Sequence, residues 1–169
     1  MDERLINEAI AGSREAFAKL YGSYKDRLYR YALYRLGSPE DAEDAVSECV
    51  LAAWKNIGSL RSSKAFGTWI FRILSNCCAS KIKDAIGSRE NMEKVIREGG
   101  FMPAGSNPSL AVELNEALAE LGDEDREIVL LSVIAGMTSS EISEQTGLPA
   151  GTVRSKLSRS LAKMREFLS

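Results

Sequence analysis

Thr138 to Leu161 is the stretch whose residue types and spacing could do chemistry on a nucleic acid. Thr138-Ser139-Ser140-Glu141 has the form of a capping box, in which the hydroxyl and the carboxylate each satisfy a backbone amide at a helix start. Gly147-Leu148-Pro149-Ala150-Gly151 then reads as a turn into a last helix over about 150–168. On that helix Val153, Leu157, Leu161 and Met164 share one apolar stripe. Gly151, Thr152, Arg154, Ser155, Ser158 and Arg159 lie off the stripe. A guanidinium takes a guanine edge bidentately, and Ser or Thr hydroxyls serve base or phosphate. The free amides of Gly151 and Thr152 suit a phosphate at the helix start. A short capped helix, a turn and a longer basic helix are the parts of a helix-turn-helix. The alternative is a plain helical hairpin with a solvated face, but the cap, turn, apolar stripe and basic face agree on the first reading. The candidate DNA contacts here are Thr138, Ser139, Gly151, Thr152, Arg154, Ser155, Lys156, Ser158 and Arg159.

A second constellation runs from Pro39 to Trp54. Asp41, Glu43, Asp44, Ser47 and Glu48 lie off an apolar stripe of Ala42, Ala45, Val46, Cys49, Val50, Ala53, Trp54 and Ile57. Such an acidic helix face is either the solvated side of a bundle or a protein-docking surface, and periodicity alone leaves both open. A third lies between Phe66 and Lys83, where Trp69, Phe71 and Arg72 come close in sequence to Asn76, Lys81 and Lys83. Aromatic, amide and cationic groups suit unstacked bases and single-stranded backbone. The competing reading puts Phe66, Trp69 and Ile73 in a core. Any nucleic-acid contact then falls to Arg72, Ser75, Asn76, Ser80 and Lys83, with Arg61, Ser62, Ser63 and Lys64 of the preceding polar connector.

Other chemistry has little to work with. The chain has no His and three Cys, with no CxxC pair, no Gly-rich phosphate loop and no nucleophile placed beside a base. An enzyme, a cofactor and a structural zinc are all unexpected. Cys49, Cys77 and Cys78 fit reduced thiols better than a disulfide framework. No segment reaches the length of a membrane span, and the charged start lacks a signal core, so a cytoplasmic protein is expected.

The elements that position these groups are all helical. The chain has 169 residues, 44% of them hydrophobic and 27% charged, which is room for two small cores. Ser13 predicts a capped helix to about Tyr21, and a second runs from about Tyr24 to Leu36, closed by Gly37. Ser38-Pro39-Glu40-Asp41 is a capped, acidic helix start. After the polar connector a helix follows over about 65–85. Residues 87–107, rich in Gly and Pro, read as a linker with at most a helical turn near Glu90 to Glu98. Leu110, Leu114, Ala117, Leu118 and Leu121 make one further helix. Asp123 then caps another, with Ile128, Val129, Leu131 and Val133 inward.

The net charge is −2, unusual for a DNA-binding chain, but its distribution is uneven. Arg154, Lys156, Arg159, Lys163 and Arg165 face Glu166 alone in the last helix. The preceding stretch from Glu113 to Pro149 carries Arg126 against Glu113, Glu116, Glu120, Asp123, Glu124, Asp125, Glu127, Glu141 and Glu144. A basic helix thus follows an acidic support, which faces away from DNA or toward a protein.

Asp41-Ala42-Glu43-Asp44-Ala45-Val46 with Ala52-Ala53-Trp54-Lys55-Asn56-Ile57 resembles region 2 of the extracytoplasmic-function (ECF) sigma factors of the sigma-70 family. Phe66-Gly67-Thr68-Trp69-Ile70-Phe71-Arg72-Ile73 is similar to the start of that family's promoter-melting segment. Leu121-Gly122-Asp123-Glu124-Asp125-Arg126-Glu127-Ile128-Val129-Leu130-Leu131, Glu141-Ile142-Ser143 and Gly151-Thr152-Val153-Arg154-Ser155-Lys156-Leu157 resemble region 4. The resemblance implies an all-α protein of two small domains: 1–86 binding polymerase and the −10 element, 87–108 a flexible linker, and 109–169 a helix-turn-helix on the −35 element. It implies docking of Asp41, Glu43, Asp44, Ser47 and Glu48 on the clamp helices of the largest subunit of core RNA polymerase, with the flap as a second contact. It also implies promoter DNA as ligand and an anti-sigma factor as a further partner. An autonomous helix-turn-helix regulator is the alternative. A receiver domain ahead of it would need alternating strands and helices, and the amino-terminal half has no strand pattern.

Overall fold

The computed structural model describes residues 3–84 and 108–169, with side chains described for 3–84 and 113–169. Most of the linker expected over 87–108, with the turn near Glu90, lies outside the described residues. Among the described residues every regular element is helical. In chain order they are α1 (Glu3–Ile10), α2 (Arg14–Leu36), α3 (Pro39–Asn56), α4 (Phe66–Asp84), α5 (Pro108–Ala119), α6 (Asp123–Val133), α7 (Ser139–Thr146) and α8 (Ala150–Leu168). Two 3-10 turns, Ile57–Ser59 and Ser63–Ala65, make up much of the connector between α3 and α4.

The helix starts follow the sequence closely. Ser13 and Ser38 each accept from the amide three residues on, Ala16 and Asp41, satisfying one of the orphan donors of a first turn. Gly37 closes α2 in the left-handed region at φ 73°, with its amide on the Leu33 carbonyl, a conformation a Cβ disfavours.

Three expectations change. The two helices expected around Gly22 are one continuous α2. An exposed mid-helix glycine costs only about 1 kcal/mol. The buried series Phe17, Leu20, Tyr24, Leu28 and Tyr31 runs straight through it, and Ser23 returns its hydroxyl to the Lys19 carbonyl. Asp123 is not the cap of α6: Gly122 holds that position without a side-chain bond, and Asp123 pairs instead with Arg126 at 3.3 Å. Val133 is not buried but 65% exposed. Ile128, Val129, Leu130 and Leu131 already fill the sides of α6 that meet α2, α7 and α8, and Val133 falls on the side left over.

The amino-terminal core is aromatic. Phe71 sits 6.4 Å from the Tyr24 ring and 5.9 Å from Tyr31, both edge-on, while Phe66 meets Tyr24 at 5.3 Å. Edge-to-face pairs of this kind add to the free energy of apolar burial. Phe71 is fully buried, so it packs the domain and offers no stacking face. Ala42, Ala45, Cys49 and Ala53 of α3 are also fully buried, and their small side chains let α3 approach α2 and α4 closely.

In the carboxy-terminal part a single buried cation fixes the corner between α5 and α6. Arg126 is 3% exposed. It donates to the Leu118 carbonyl from Nε and to the Leu121 carbonyl from Nη2, each at 3.1 Å. An Arg126→Met substitution keeps the stem but leaves both carbonyls without that donor, at about 1–3 kcal/mol for a buried unsatisfied group. Urea unfolding is expected to show a loss of about 3 kcal/mol.

Candidate nucleic-acid and protein interfaces

The α7–turn–α8 unit is built from backbone outward. Thr138 and Glu141 form the reciprocal capping box: the Glu141 amide donates to the Thr138 hydroxyl at 3.2 Å, and the Thr138 amide donates to the Glu141 carboxylate at 2.9 Å. Gly147 ends α7 at φ 81°, its amide on the Ser143 carbonyl, and the Ser143 hydroxyl donates to the Leu148 carbonyl. The turn is therefore pinned from both sides, which fixes the direction of α8. Val153 is fully buried, with Leu157, Leu161 and Met164 packed partly against the core. Ser160 is also buried, a small polar residue that the stripe reading passes over.

This anchoring turns Gly151, Arg154, Ser155, Ser158 and Arg159 outward, all exposed, with Thr152 half-buried at their edge. Pro149 holds the N-cap position of α8 without a side-chain cap, which leaves the first amides of the helix to an anion. Lys156 points elsewhere: its ammonium lies 3.0 Å from Glu124 and 3.7 Å from Asp125. These acids, Glu124 foremost, raise its pKa. Thr138 is exposed as the cap of α7, and Ser139 is half-buried behind it.

On α3, Glu43, Asp44, Ser47 and Glu48 are exposed and Asp41 is half-buried in the first turn. Glu48 reaches Lys81 of α4 at 3.5 Å. The same outer face carries Leu51, 63% exposed, one turn beyond Ser47 and Glu48 and two beyond Asp44. Sequence reasoning missed it; the signal was a large aliphatic residue standing off the stripe. An exposed leucine among acids has the form of an apolar anchor within a polar rim.

The expected nucleic-acid face of α4 divides. Arg61, Ser62 and Lys64 of the connector, with Ser80 and Lys83, are exposed, and Ser63 is half-buried. Ser75 is 1% exposed; its hydroxyl accepts from Arg35 at 3.0 Å and donates to Glu127 at 3.1 Å. Arg72 is held by Glu144 at 2.6 Å, and the Asn76 carbonyl oxygen accepts from Gln145 at 2.9 Å. Thr68, absent from the sequence-derived candidates, donates to Glu141 at 2.5 Å.

Glu141 thus serves two helices, and its pKa is lowered, first by the Thr138 amide and then by the Thr68 hydroxyl. A carboxylate depressed by folding contributes stability that is complete above its unfolded value and is lost as pH falls through the folded one. The stability difference between the native chain and a Glu141→Gln chain is expected to be full at neutral pH. It shrinks on acidification below about the ordinary carboxylate value of 4.5; urea titrations across pH 3–7 measure it. A difference that holds constant to pH 3 would contradict this role.

Burial raises the pKa of all three thiols. Cys49 and Cys78 are buried, and burial pushes the Cys78 thiol up to about 12. Among the described residues no group of His, Cys, Asp and Glu could hold a metal ion, and no helix is long and apolar enough to cross a membrane.

Family comparison matches residues 20–86 to Sigma-70 region 2 and residues 111–164 to Sigma-70, region 4. The chain belongs to the ECF sigma factors of the sigma-70 family. Its relatives include the ECF RNA polymerase sigma factor SigW of Bacillus subtilis, 28% identical over 99% of this chain and 97% of that one. The RNA polymerase sigma factor CnrH of Cupriavidus metallidurans is 27% identical over 99% and 94%. A solved structure of CnrH in complex with the cytosolic domain of CnrY matches at a TM-score of 0.70, with 25% identity over 99% of this chain and 96% of that one. As a sigma factor, the protein directs core RNA polymerase to promoters for the initiation of DNA-templated transcription. An autonomous regulator is not favoured, because region 2 occupies the place where a sensor domain would stand.

Proposed function

We propose that this sigma factor divides its task among three surfaces. Residues 1–86 carry two of them and residues 109–169 the third, with 87–108 as the tether. The outer face of α3, with Asp41, Glu43, Asp44, Ser47 and Glu48 around Leu51, docks on the clamp helices of the largest polymerase subunit. Arg61 to Lys64 and the polar side of α4 take the −10 element, whose unpaired bases need cationic and amide partners. The exposed side of α8 enters the major groove at the −35 element, where Arg154 and Arg159 read base edges and Gly151, Thr152, Ser155 and Ser158 hold backbone or bases. The polymerase flap lies against the carboxy-terminal domain. The protein acts as a binding subunit in the cytoplasm, without catalysis of its own. The relative CnrH has been solved with the cytosolic domain of CnrY, and an anti-sigma factor is an expected partner here too.

The observation that carries this reading is the placement of opposite charges on the outer sides of two different domains: exposed acids on α3 and exposed arginines on α8. A photo-crosslinking residue placed singly at Ser47, Ser80 or Ser158, all exposed, tests it in assembled holoenzyme on promoter DNA. The expected products are the largest subunit from Ser47, the −10 strand from Ser80 and upstream duplex from Ser158. Crosslinks from Ser47 to DNA, or from Ser158 to polymerase alone, would overturn the division.

A further inference from the structure

Lys156, Arg159, Ser160 and Lys163 follow one another along α8 at intervals of three, one and three, which brings them to one side of the helix. With Leu121 and Asp125, from the corner between α5 and α6, they line a recess of about 310 Å³, the size of a small-ligand site. The fold leaves its polar groups incomplete. Ser160 is 4% exposed, and its hydroxyl has no hydrogen-bond partner among the described residues. Asp125 Oδ1 is buried and accepts no hydrogen bond, although the Lys156 ammonium lies 3.7 Å from it. Lys163 donates to the Glu120 carbonyl at 3.0 Å and keeps its other ammonium hydrogens free for a ligand. Arg159 is exposed, with no ion pair among the described residues. Glu124 first and then Asp125 raise the pKa of Lys156, and Arg159 opposes them, so two cations lie within reach of one another.

A buried hydroxyl beside converging cations calls for a charged acceptor, and a phosphate takes several donors at once. A buried carboxylate oxygen without a hydrogen bond calls for a donor. One ligand meets both demands if it carries both groups. We propose that this recess binds a phosphate monoester with free hydroxyls, the chemical class of the sugar phosphates. The phosphate lies on Arg159, Lys163 and the Ser160 hydroxyl, a sugar hydroxyl donates to Asp125, and Leu121 meets the sugar carbons. A backbone phosphate of duplex DNA does not suit the same place. Gly151, Ser155 and Ser158 lie toward the other side of α8 by the helical repeat. A duplex along them meets Arg159 at the rim of the recess and not Ser160 at its floor. This exclusion of the duplex rests on the assignment of α8 to the −35 element, whereas the recess stands without it.

The test uses the full chain labelled with nitrogen-15, titrated with ribose 5-phosphate, inorganic phosphate and ribose, and followed by NMR at the amides of residues 159–163. Ribose 5-phosphate is expected to bind saturably and about threefold more tightly than inorganic phosphate, as one further hydrogen bond provides. Ribose leaves these amides unmoved. Lys163→Gln weakens both phosphates about tenfold and Ser160→Ala about threefold. Asp125→Asn removes a negative charge from the recess, so it strengthens inorganic phosphate more than the ester and narrows the preference between them. Lys19→Gln, an equal loss of charge at an exposed position of α2, changes nothing. No binding, equal affinity for the ester and inorganic phosphate, or a Lys163→Gln chain as tight as the native one each overturns the proposal. So does promoter binding by holoenzyme that Lys163→Gln and Ser160→Ala weaken as much as they weaken the ester, since the recess then holds backbone phosphate. Promoter transcription by an Arg154→Ala chain reports on the −35 assignment separately, so the two failures are told apart.

Discussion

Reversal of Glu43, Asp44 and Glu48 to Lys together is expected to weaken the complex with core polymerase by about 100-fold, while the helical content stays unchanged. These side chains are exposed on the outer face of α3, and the buried stripe behind them is untouched. A rim charge contributes about 1 kcal/mol to association when its partner is opposite, and three such losses amount to about two decades in affinity. Asp41 is left alone because it sits in the first turn, where its charge favours the helix itself. Fluorescence titration of labelled protein with core polymerase measures the change, and salt sharpens the reading: the native chain should weaken with ionic strength more steeply than the variant. Equal affinities would mean that the acidic face is only solvated.

The second large effect belongs to α8. Arg154→Ala and Arg159→Ala each remove an exposed guanidinium from the side facing away from Val153. A bidentate contact to a base is worth about 1–3 kcal/mol of discrimination, so each substitution is expected to cut promoter-specific transcription by about 10- to 100-fold and to relax preference at one base position. Lys156→Ala serves as the contrast. Its ammonium is engaged by Glu124 and Asp125, and its loss should leave sequence preference as it was. Run-off transcription from a set of promoters varied in the −35 element separates the three. A preference unchanged in both arginine variants would place the base-reading groups elsewhere.

The two outcomes rest on features that differ in how openly the sequence displays them. Caps and stripes are local, and Ser38, Thr138, Glu141 and Gly147 do in the fold what their types and spacing imply. The unbroken α2 is less open, since Gly22 and Ser23 carry a local break signal that the buried aromatic series overrides. Val133 shows another limit: periodicity marks it apolar, but only the assembled helices decide which side of α6 is left uncovered. The charges are the least legible. Glu127, Glu141 and Glu144 form part of an acidic support in sequence, yet the fold brings them across to Arg35, Thr68 and Arg72, partners 72 to 92 residues away along the chain. No window of sequence contains both sides of such a pair. Ser75 and Phe71 were candidates by type, and packing removes both from the surface.

The measurement that bears most directly on the function is promoter occupancy by this chain with and without core polymerase, at one protein concentration and a stated physiological salt. A net charge of −2 and a basic duplex-facing surface limited to α8 provide few phosphate contacts to duplex, hence little affinity from counterion release. Specific occupancy is expected only when polymerase is present, with the Glu43, Asp44 and Glu48 reversals abolishing it. Equally tight, sequence-specific duplex binding by the chain alone, indifferent to polymerase and to those reversals, would contradict a sigma factor's mode of action.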